Sequence, residues 1–319
     1  MSYLTYVLFI FGLVLISYSA NILVKYTENI SYDLNISYFF SSLVFIGLAT
    51  SSPEIFIALL ASLDNKSNIA IGNALGSNIA NIALVFALTF FFIKFEKDYF
   101  SNALTKDVKT FFIYLVLISF LLIPLLSDGR INLIDSVILF STFLLFLMYL
   151  KRYINIENKK NKASHQANLL YNLVIIIFSI IMLILGTQIF LDSSVTIATF
   201  FGVPDYVIGL SMTAIGTSIP ELAASIQSAR RKNIDFIIGN ILGSNIFNIV
   251  LVLGLIGIVD YNSQSFVGYN ELLRDISIII LTTILLIVIA RNYNVYLSKF
   301  LGAVLFSGFL IYQYNLYLY

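Results

Sequence analysis

Long apolar stretches constrain the fold of this 319-residue chain more than any other feature of its sequence. Hydrophobic residues make up 59% of the chain and charged residues 11%, less than half of the roughly 25% typical of soluble domains. So little charge cannot solvate a particle of this size, and the sequence therefore predicts an all-α integral membrane protein. Segments of about the 20 residues that cross a bilayer are predicted near 3–24, 38–63, 68–93, 110–126, 132–150, 169–191, 204–229, 235–258, 275–290 and 297–316.

Composition also excludes several other classes of protein. The chain has no cysteine, so disulfides, iron–sulfur clusters and zinc–thiolate sites are ruled out. Its 18 Lys and Arg residues against 17 Asp and Glu give no reason to expect a nucleic acid partner. Runs such as Leu169–Leu185 lack the alternating polarity of β-barrel strands. No Lys or Arg precedes Lys25, so the first apolar segment is expected to be a retained helix and not a cleaved signal peptide.

The basic residues indicate how the spans are oriented. Fifteen of the 18 Lys and Arg residues fall in one alternate set of loops and three fall in the other. Short cytoplasmic loops are enriched in Lys and Arg. Both termini are therefore predicted to lie outside the cytoplasm and the loop at 151–168 inside it, and the expected location is the plasma membrane.

The second half of the chain repeats the first with an offset of 167 residues. The offset aligns T-S-x-P-E at 50–54 with the same motif at 217–221. It also aligns G-N-A-L-G-S-N-I-A-N-I-A-L-V at 72–85 with G-N-I-L-G-S-N-I-F-N-I-V-L-V at 239–252, and eleven of these fourteen positions are identical. A helical scaffold without transport is the alternative to a functional repeat, but a scaffold has no need to keep polar residues identical in both copies.

Five predicted spans precede the junction between the copies and five follow it, so the copies must enter the membrane from opposite sides. The sequence predicts about ten transmembrane helices as two inverted five-helix repeats. The repeats are assigned to 1–150, with its motif at about 47–87, and to 169–319, with its motif at about 214–254, and the segment 151–168 is a cytoplasmic linker. Inverted repeats place a binding site near the membrane midplane and allow one half to rock against the other.

Two acidic residues, Glu54 and Glu221, occupy equivalent positions deep within predicted spans. A carboxylate at the bilayer centre costs at least about 2.5 kcal/mol and by default indicates function. No basic residue lies equally deep, so the missing partner is expected to be a bound cation or a proton. Protonated packing groups are the structural alternative.

A proline in each motif is expected to break the helix that carries the acid. Its ring clashes with the carbonyl four residues back, so breaks are predicted around residues 49–50 and 216–217. Non-helical backbone at membrane depth is tolerated where it lines a cavity, and freed carbonyl oxygens are expected to face one. On the first helix, Thr50, Ser51 and Glu54 are spaced so that both hydroxyls lie near the carboxylate.

The helix after each acid presents oxygen-bearing side chains at i, i+4 and i+8. This face comprises Asn73, Ser77 and Asn81 in the first repeat and Asn240, Ser244 and Asn248 in the second. Glycines at 72, 76, 239 and 243 form the small-xxx-small pattern that lets two helices approach closely. Close packing would press the polar face against the broken helix.

Ligands of this kind suit hard cations. Two carboxylates offer four oxygens and the carbonyls of Thr50 and Thr217 two more, which reaches the roughly six to eight oxygens that calcium takes. Two negative charges balance one calcium ion or two sodium ions, so one pocket could hold either load in turn. The absence of thiolates, and of His from the spans, disfavours soft transition metals, and no cofactor is expected.

These motifs resemble the calcium/cation antiporter superfamily and, within it, the sodium/calcium exchanger branch of prokaryotic type without a regulatory domain. That branch carries two repeats, each with a G-T-S-x-P-E-type motif followed by G-N-x-x-G-S-N. The resemblance implies an electrogenic antiporter that exchanges three sodium ions for one calcium ion by alternating access, without ATP, and that is not an enzyme. Calcium, sodium and the lipid bilayer are the partners it implies, and no obligate protein partner is evident.

The resemblance also implies roles for individual residues. Calcium would be bound by Glu54 and Glu221 with the carbonyls of Thr50 and Thr217, sodium by Ser51, Ser77, Ser218 and Ser244 with backbone oxygens of Gly47 and Ala214, and Asn81 and Asn248 would complete the centre. Two positions depart from the pattern, because Ala49 stands where glycine is usual and Asn248 where close relatives usually have aspartate. The second departure leaves the coupling ion open between sodium and protons.

Three other functions remain as alternatives. Exchange of protons for calcium, or of another divalent cation, would use the same fold, although the G-N-x-x-E pattern of proton-coupled calcium exchangers is absent. A channel would carry the ion without any counter-ion. An enzyme would need a nucleophile, a phosphate loop or a catalytic histidine beside the paired acids, and none accompanies them.

Overall fold

A computed structural model of the protein describes residues 3–34, 36–92, 106–160, 168–202, 213–260, 266–291 and 295–316. Within these ranges the chain is helical apart from short connections, and it contains no strand. The helical segments are α1 (Tyr3–Leu34), α2 (Tyr38–Leu63), α3 (67–92), α4 (Lys106–Leu125), α5 (Leu133–Lys160), α6 (Leu169–Phe200), α7 (213–230), α8 (Ile234–Val259), α9 (Tyr269–Arg291) and α10 (Val295–Leu316).

Four of these segments are interrupted. Segment α2 comprises Tyr38–Ser41, a π-helical turn at Ser42–Ile46, Gly47–Thr50 and Ser52–Leu63. Segment α3 comprises Ser67–Ala80, a π-helical turn at Asn81–Phe86 and Ala87–Phe92. Segment α7 comprises Thr213–Thr217 and Ile219–Arg230, and α8 comprises Ile234–Phe247, a π-helical turn at Asn248–Val252 and Leu253–Val259.

The predicted all-helical membrane fold is confirmed. Within the described ranges, nine helices are long and apolar enough to cross a membrane. The remaining predicted span, near 204–229, falls on α7, and residues 203–212 at its start lie outside the described part of the chain. The count of about ten spans therefore agrees with the structure wherever the structure describes it.

Several helices extend beyond their predicted ends. Helix α1 continues past residue 24 to Leu34 because no glycine or proline interrupts it after Gly12. Helix α5 continues to Lys160, into the predicted linker at 151–168, for the same reason. Helix α6 ends only at Phe200, where Gly202 takes a left-handed backbone conformation (φ +76°) that terminates helices readily.

The acid-bearing motifs lie in the interior of the helix assembly. Segment α8 packs on the Ser42–Ile46 and Gly47–Thr50 parts of α2, and Thr213–Thr217 packs on α3. Helices α5, α9 and α10 pack against the outer sides of α8 and α3. Helices α1 and α6 pack chiefly on each other, and α1 also contacts α7.

Glycines allow the interior helices to touch backbone to backbone, as the small-xxx-small pattern predicts. A Cβ atom on Gly243 would lie 2.3 Å from the carbonyl oxygen of Leu43, and one on Gly239 would lie 2.5 Å from that of Phe39. A Cβ on Gly47 would lie 2.9 Å from the Cα of Gly243. No residue other than glycine fits these contacts without moving a helix.

Candidate cation-binding site

Each acid-bearing helix restarts next to its proline. Ser51 separates Gly47–Thr50 from Ser52–Leu63, and Ser218 separates Thr213–Thr217 from Ile219–Arg230. The breaks lie one or two residues beyond the positions predicted, at 49–50 and 216–217. The reason is that proline is tolerated in the first turn of a helix, so the new helix begins one residue before it.

Two carbonyl oxygens near the first break accept hydrogen bonds from within the protein. Pro53 has no N–H to give to the carbonyl of Ala49, but the hydroxyl of Ser52 donates to that oxygen at 2.6 Å. The carbonyl oxygen of Gly47 accepts from the N–H of Ser51 at 3.1 Å and from the hydroxyl of Ser244 at 3.4 Å. This second bond brings the first broken helix against the polar face of α8.

The two acids are wholly buried, at 0% exposure. The carboxylate of Glu54 faces the hydroxyls of Thr217 and Ser77, and that of Glu221 faces those of Thr50, Ser244 and Ser51. None of the four carboxylate oxygens has a hydrogen-bond partner among the residues that the structure describes. Each acid is therefore surrounded by hydroxyls that come from both halves of the chain.

Equivalent hydroxyl pairs join the two repeats. The hydroxyl oxygens of Thr50 and Ser244 are 3.1 Å apart, and those of Ser77 and Thr217 are also 3.1 Å apart. The members of each pair come from opposite repeats and are related to the other pair by the offset of 167 residues. The structure thus brings the predicted threonines and serines together across the interface between the halves.

The predicted asparagines mark a change in helix geometry. Asn81 and Asn248 are each the first residue of a π-helical turn, and such turns occur frequently at functional sites. Both side chains are fully buried, and within the described ranges neither the amide oxygen nor the amide nitrogen of either residue has a partner. No feature of the sequence predicted the π-helical turns.

Two further asparagines belong to the same cluster but were not among the predicted ligands. The amide oxygen of Asn240 lies 3.3 Å from the hydroxyl of Thr50, and that of Asn73 lies 3.5 Å from the hydroxyl of Thr217. The sequence analysis placed both on the oxygen-bearing faces of their helices but assigned them no ion. The carbonyl of Ala214, a predicted ligand, accepts from the N–H of Ser218 at 3.3 Å.

The cluster offers what a hard cation requires. Buried polar atoms without partners are concentrated here, on Ser51, Glu54, Asn81, Ser218, Glu221 and Asn248. Leaving such atoms unsatisfied costs about 1–3 kcal/mol each, and a bound cation would satisfy the oxygens among them. In the described ranges, no group of three or more His, Cys, Asp or Glu side chains could hold a metal, so this cluster combines two carboxylates with neutral oxygens.

Comparison with known proteins identifies the family. Residues 4–151 and 171–318 match the family described as "Sodium/calcium exchanger protein". The chain belongs to this family. This confirms the resemblance seen in the motifs, and it makes the chain a membrane antiporter with sodium and calcium ions as substrates, not an enzyme.

Relatives of this family member cover from about four fifths to nearly all of its length. It is 28% identical to the inner membrane protein YrbG of Escherichia coli over 97% of the chain and 96% of YrbG. It is 30% identical to the putative antiporter CaxA of Alkalimonas amylolytica, over 96% of each. It is 25% identical to the sodium/calcium exchanger MaX1 of Methanosarcina acetivorans, over 79% of the chain and 82% of MaX1.

A solved structure has the same fold. The sodium-calcium exchanger NCX_Mj, soaked with 2.5 mM Na+ and 0.1 mM Sr2+, superimposes with a TM-score of 0.80 at 27% sequence identity. The match covers 98% of each chain. The similarity therefore extends through all the helices of this family member.

Proposed function

We propose that this exchanger carries sodium and calcium ions alternately in one pocket built around Glu54 and Glu221, by alternating access and with net movement of charge. The observation that carries the proposal is the pair of wholly buried carboxylates whose four oxygens have no hydrogen-bond partner in the described part of the chain. An unpaired buried charge is strongly unfavourable. A cation in the pocket would remove that cost, which gives the pocket a reason to bind one ion load or the other.

Oxygen ligands for both ions surround the two acids. We assign calcium to Glu54 and Glu221 with backbone oxygens of Thr50 and Thr217. We assign sodium to sites lined by Ser51, Ser77, Ser218 and Ser244, with backbone oxygens of Gly47 and Ala214, and the centre to Asn81 and Asn248. The support is proximity, because hydroxyls of both repeats face each carboxylate.

The position of the pocket between the repeats supports alternating access. Its hydroxyl pairs each take one member from either repeat. A relative movement of the halves would therefore change the pocket and the route to it at the same time. We assign the halves to 1–150 and 169–319, with 151–168 as the connection.

The ions bound in the pocket determine how much charge each exchange moves across the membrane. With two carboxylates in the pocket, one calcium ion gives a neutral complex, whereas three sodium ions, the number implied by the motif resemblance, give a net positive one. Each exchange would then move one positive charge. We place the protein in the plasma membrane with both termini outside and 151–168 in the cytoplasm, because Lys and Arg concentrate in that set of loops.

The test is calcium uptake into proteoliposomes that contain the purified protein. Uptake is compared under an outward sodium gradient and an outward proton gradient, with the membrane potential clamped and with Glu54→Gln as the inactive control. Uptake driven by sodium alone, and accelerated by a potential that favours the sodium-loaded direction, is the expected result. Uptake driven by protons alone would contradict sodium coupling and would indicate that Asn248 marks a different coupling ion.

A further inference from the structure

In the second repeat, hydrogen bonds to two acceptors hold one asparagine of the candidate site in place. The amide nitrogen of Asn240 donates to the hydroxyl of Ser225 at 3.0 Å and to the backbone carbonyl of Glu221 at 3.2 Å. Its amide oxygen lies 3.3 Å from the hydroxyl of Thr50. Asn240 thus connects the acid-bearing helix of its own repeat to the broken helix of the other.

The first repeat lacks this arrangement. The position equivalent to Ser225 is Ala58, whose methyl group cannot accept a hydrogen bond. The equivalent asparagine, Asn73, is 3% exposed, and its amide nitrogen has no partner among the residues described by the structure. Its amide oxygen lies 3.5 Å from the hydroxyl of Thr217, at the limit of a hydrogen bond.

We propose that Ser225 is a positioning residue that fixes the amide of Asn240 and so holds the Glu221 half of the site, whereas Ala58 leaves the amide of Asn73 free to reorient in the Glu54 half. The amide of Asn240 has one favourable orientation, because turning it over would place its oxygen against the carbonyl oxygen of Glu221, which cannot donate, and the hydroxyl of Ser225 gives the nitrogen a second acceptor in that orientation. The amide of Asn73 has no such restriction. The two halves of a repeated site are therefore unequal in rigidity.

This inference rests on the proposed function, since it concerns the pocket formed by the two acids. A fixed Asn240 keeps the hydroxyl of Thr50 and the backbone at Glu221 in place for the ion. Loss of the Ser225 hydroxyl would release that geometry without removing any atom that faces the pocket. The effect is expected on ion affinity, while the turnover of the loaded protein should change little.

The test compares Ser225→Ala with Ser228→Ala in proteoliposomes. Ser228 lies on the same helix and is equally buried, but its hydroxyl donates to the carbonyl of Ala224 within that helix at 2.8 Å. We expect Ser225→Ala to raise the KM for calcium by about threefold or more with little change in kcat. We expect Ser228→Ala to leave the KM close to the wild-type value. Equal KM values for the two variants would overturn the proposal.

The reverse substitution, Ala58→Ser, tests the other half and does not depend on the folding of Ser225→Ala. The new hydroxyl would give the amide nitrogen of Asn73 an acceptor, and a lower KM for calcium is expected. An unchanged or higher KM would contradict the assigned difference between the halves.

Thermal unfolding of the detergent-solubilised wild type with and without calcium distinguishes failure of the proposed function from failure of this inference. If calcium does not stabilise the wild type and sodium does not drive calcium uptake, the proposed function is refuted. If the wild type transports calcium and Ser225→Ala has an unchanged KM, only this inference is refuted.

Discussion

Polar residues are common both in the α1/α6 pair and in the four segments that form the candidate site, α2, α3, α7 and α8, but they are satisfied differently. In the pair, most hydroxyls bond to carbonyls of their own helix, as Ser19 does to Leu15 at 2.7 Å and Ser179 to Ile175 at 2.7 Å, although the hydroxyl of Thr27 has no partner in the described part of the chain. In the site segments, hydroxyls bond across repeats, and the carboxylates have no hydrogen-bond partner among the described residues. A single unpartnered polar residue such as Thr27 is therefore not diagnostic, and the site segments are distinguished by a cluster of such residues around two carboxylates.

The two regions also differ in how completely their helices are buried. Every residue of Ile234–Phe247 in α8 is buried except Asp235. In α6, burial is confined to one stripe that includes Asn172, Ser179 and Gly186, and much of the remaining surface is exposed and apolar. Segment α8 is therefore packed on all sides, whereas α6 is packed on one. Substitutions should therefore have larger effects in the first region than in the second.

Removing an acid should give the largest effect. Glu54→Gln and Glu221→Gln are each expected to lower sodium-driven calcium uptake by about 100-fold or more, because the loss of one anionic ligand from a buried dication site costs several kcal/mol. Asp33→Asn is the matched control in the pair, since Asp33 on α1 accepts from the amide of Asn172 on α6 at 2.6 Å. Uptake assays at equal amounts of folded protein check this.

The control variant should transport at close to the wild-type rate, because an asparagine at residue 33 still offers a carbonyl oxygen to Asn172. If Asp33→Asn were as damaging as either glutamine variant, the distinction between the two regions would fail. Full uptake by Glu54→Gln or Glu221→Gln would remove that acid from the site.

Adding one methyl group to a crossing glycine should give the next largest effect. Gly243→Ala places a Cβ 2.3 Å from the carbonyl oxygen of Leu43, a backbone atom that cannot turn aside. We expect a loss of stability of about 1–3 kcal/mol, with lower calcium uptake, measured by thermal unfolding in detergent and by flux. Gly186→Ala in the α1/α6 pair, where the nearest atoms belong to Ile16 at 3.1 Å, should be milder.

Gly308→Ala on α10 completes this series, because no atom lies within 4 Å of the added Cβ. Alanine is the better helix former by about 0.5–1 kcal/mol, so this variant should be as stable as the wild type or slightly more so. A greater loss of stability in Gly308→Ala than in Gly243→Ala would show that backbone contact is not what fixes the interior helices.

The features that occur in both repeats could be predicted from the sequence. The two acids, the proline breaks to within two residues, and the polar faces of α3 and α8 follow from the spacing of identical residues. The π-helical turns that begin at Asn81 and Asn248 could not be predicted, since neither glycine nor proline marks them and an inserted residue is accommodated by packing. The hydrogen bond between Asn240 and Ser225 could not be predicted either. Comparison of the repeats singles out identical positions, and residue 225 is a serine where the equivalent residue 58 is an alanine.

Removing a hydroxyl that joins the repeats should give a moderate effect. Ser244→Ala removes one hydrogen-bond partner each from Thr50 and from the Gly47 carbonyl, and Ser77→Ala removes one from Thr217. Each should raise the KM for sodium or calcium by about two- to tenfold. Ser179→Ala in α6 is the matched control, since its hydroxyl bonds only to its own helix in the part of the chain described. Saturation curves for both ions check the difference, and an equal shift for Ser179→Ala would contradict it.

The smallest effect is expected where the two regions meet at the surface. Arg231, just after α7, pairs with Glu28 of α1 at 3.2 Å and donates to the amide oxygen of Asn21 at 2.9 Å. The ionised side chains are 29% and 20% exposed, so water and salt screen them, and such pairs contribute about 0–1 kcal/mol. Arg231→Gln should therefore lower stability only slightly in dilute salt, and the difference should vanish as ionic strength rises.

The neighbouring exposed Arg230 provides the control for net charge, because Arg230→Gln removes the same charge one residue away. The charge swap Glu28→Arg with Arg231→Glu should recover most of what Arg231→Gln loses, as measured by thermal unfolding at two salt concentrations. A large loss of transport in Arg231→Gln that the swap restores would mean that this contact holds α1 against α7 during exchange. The α1/α6 pair would then be coupled to the site through its surface, and the division between the two regions would apply to packing but not to function.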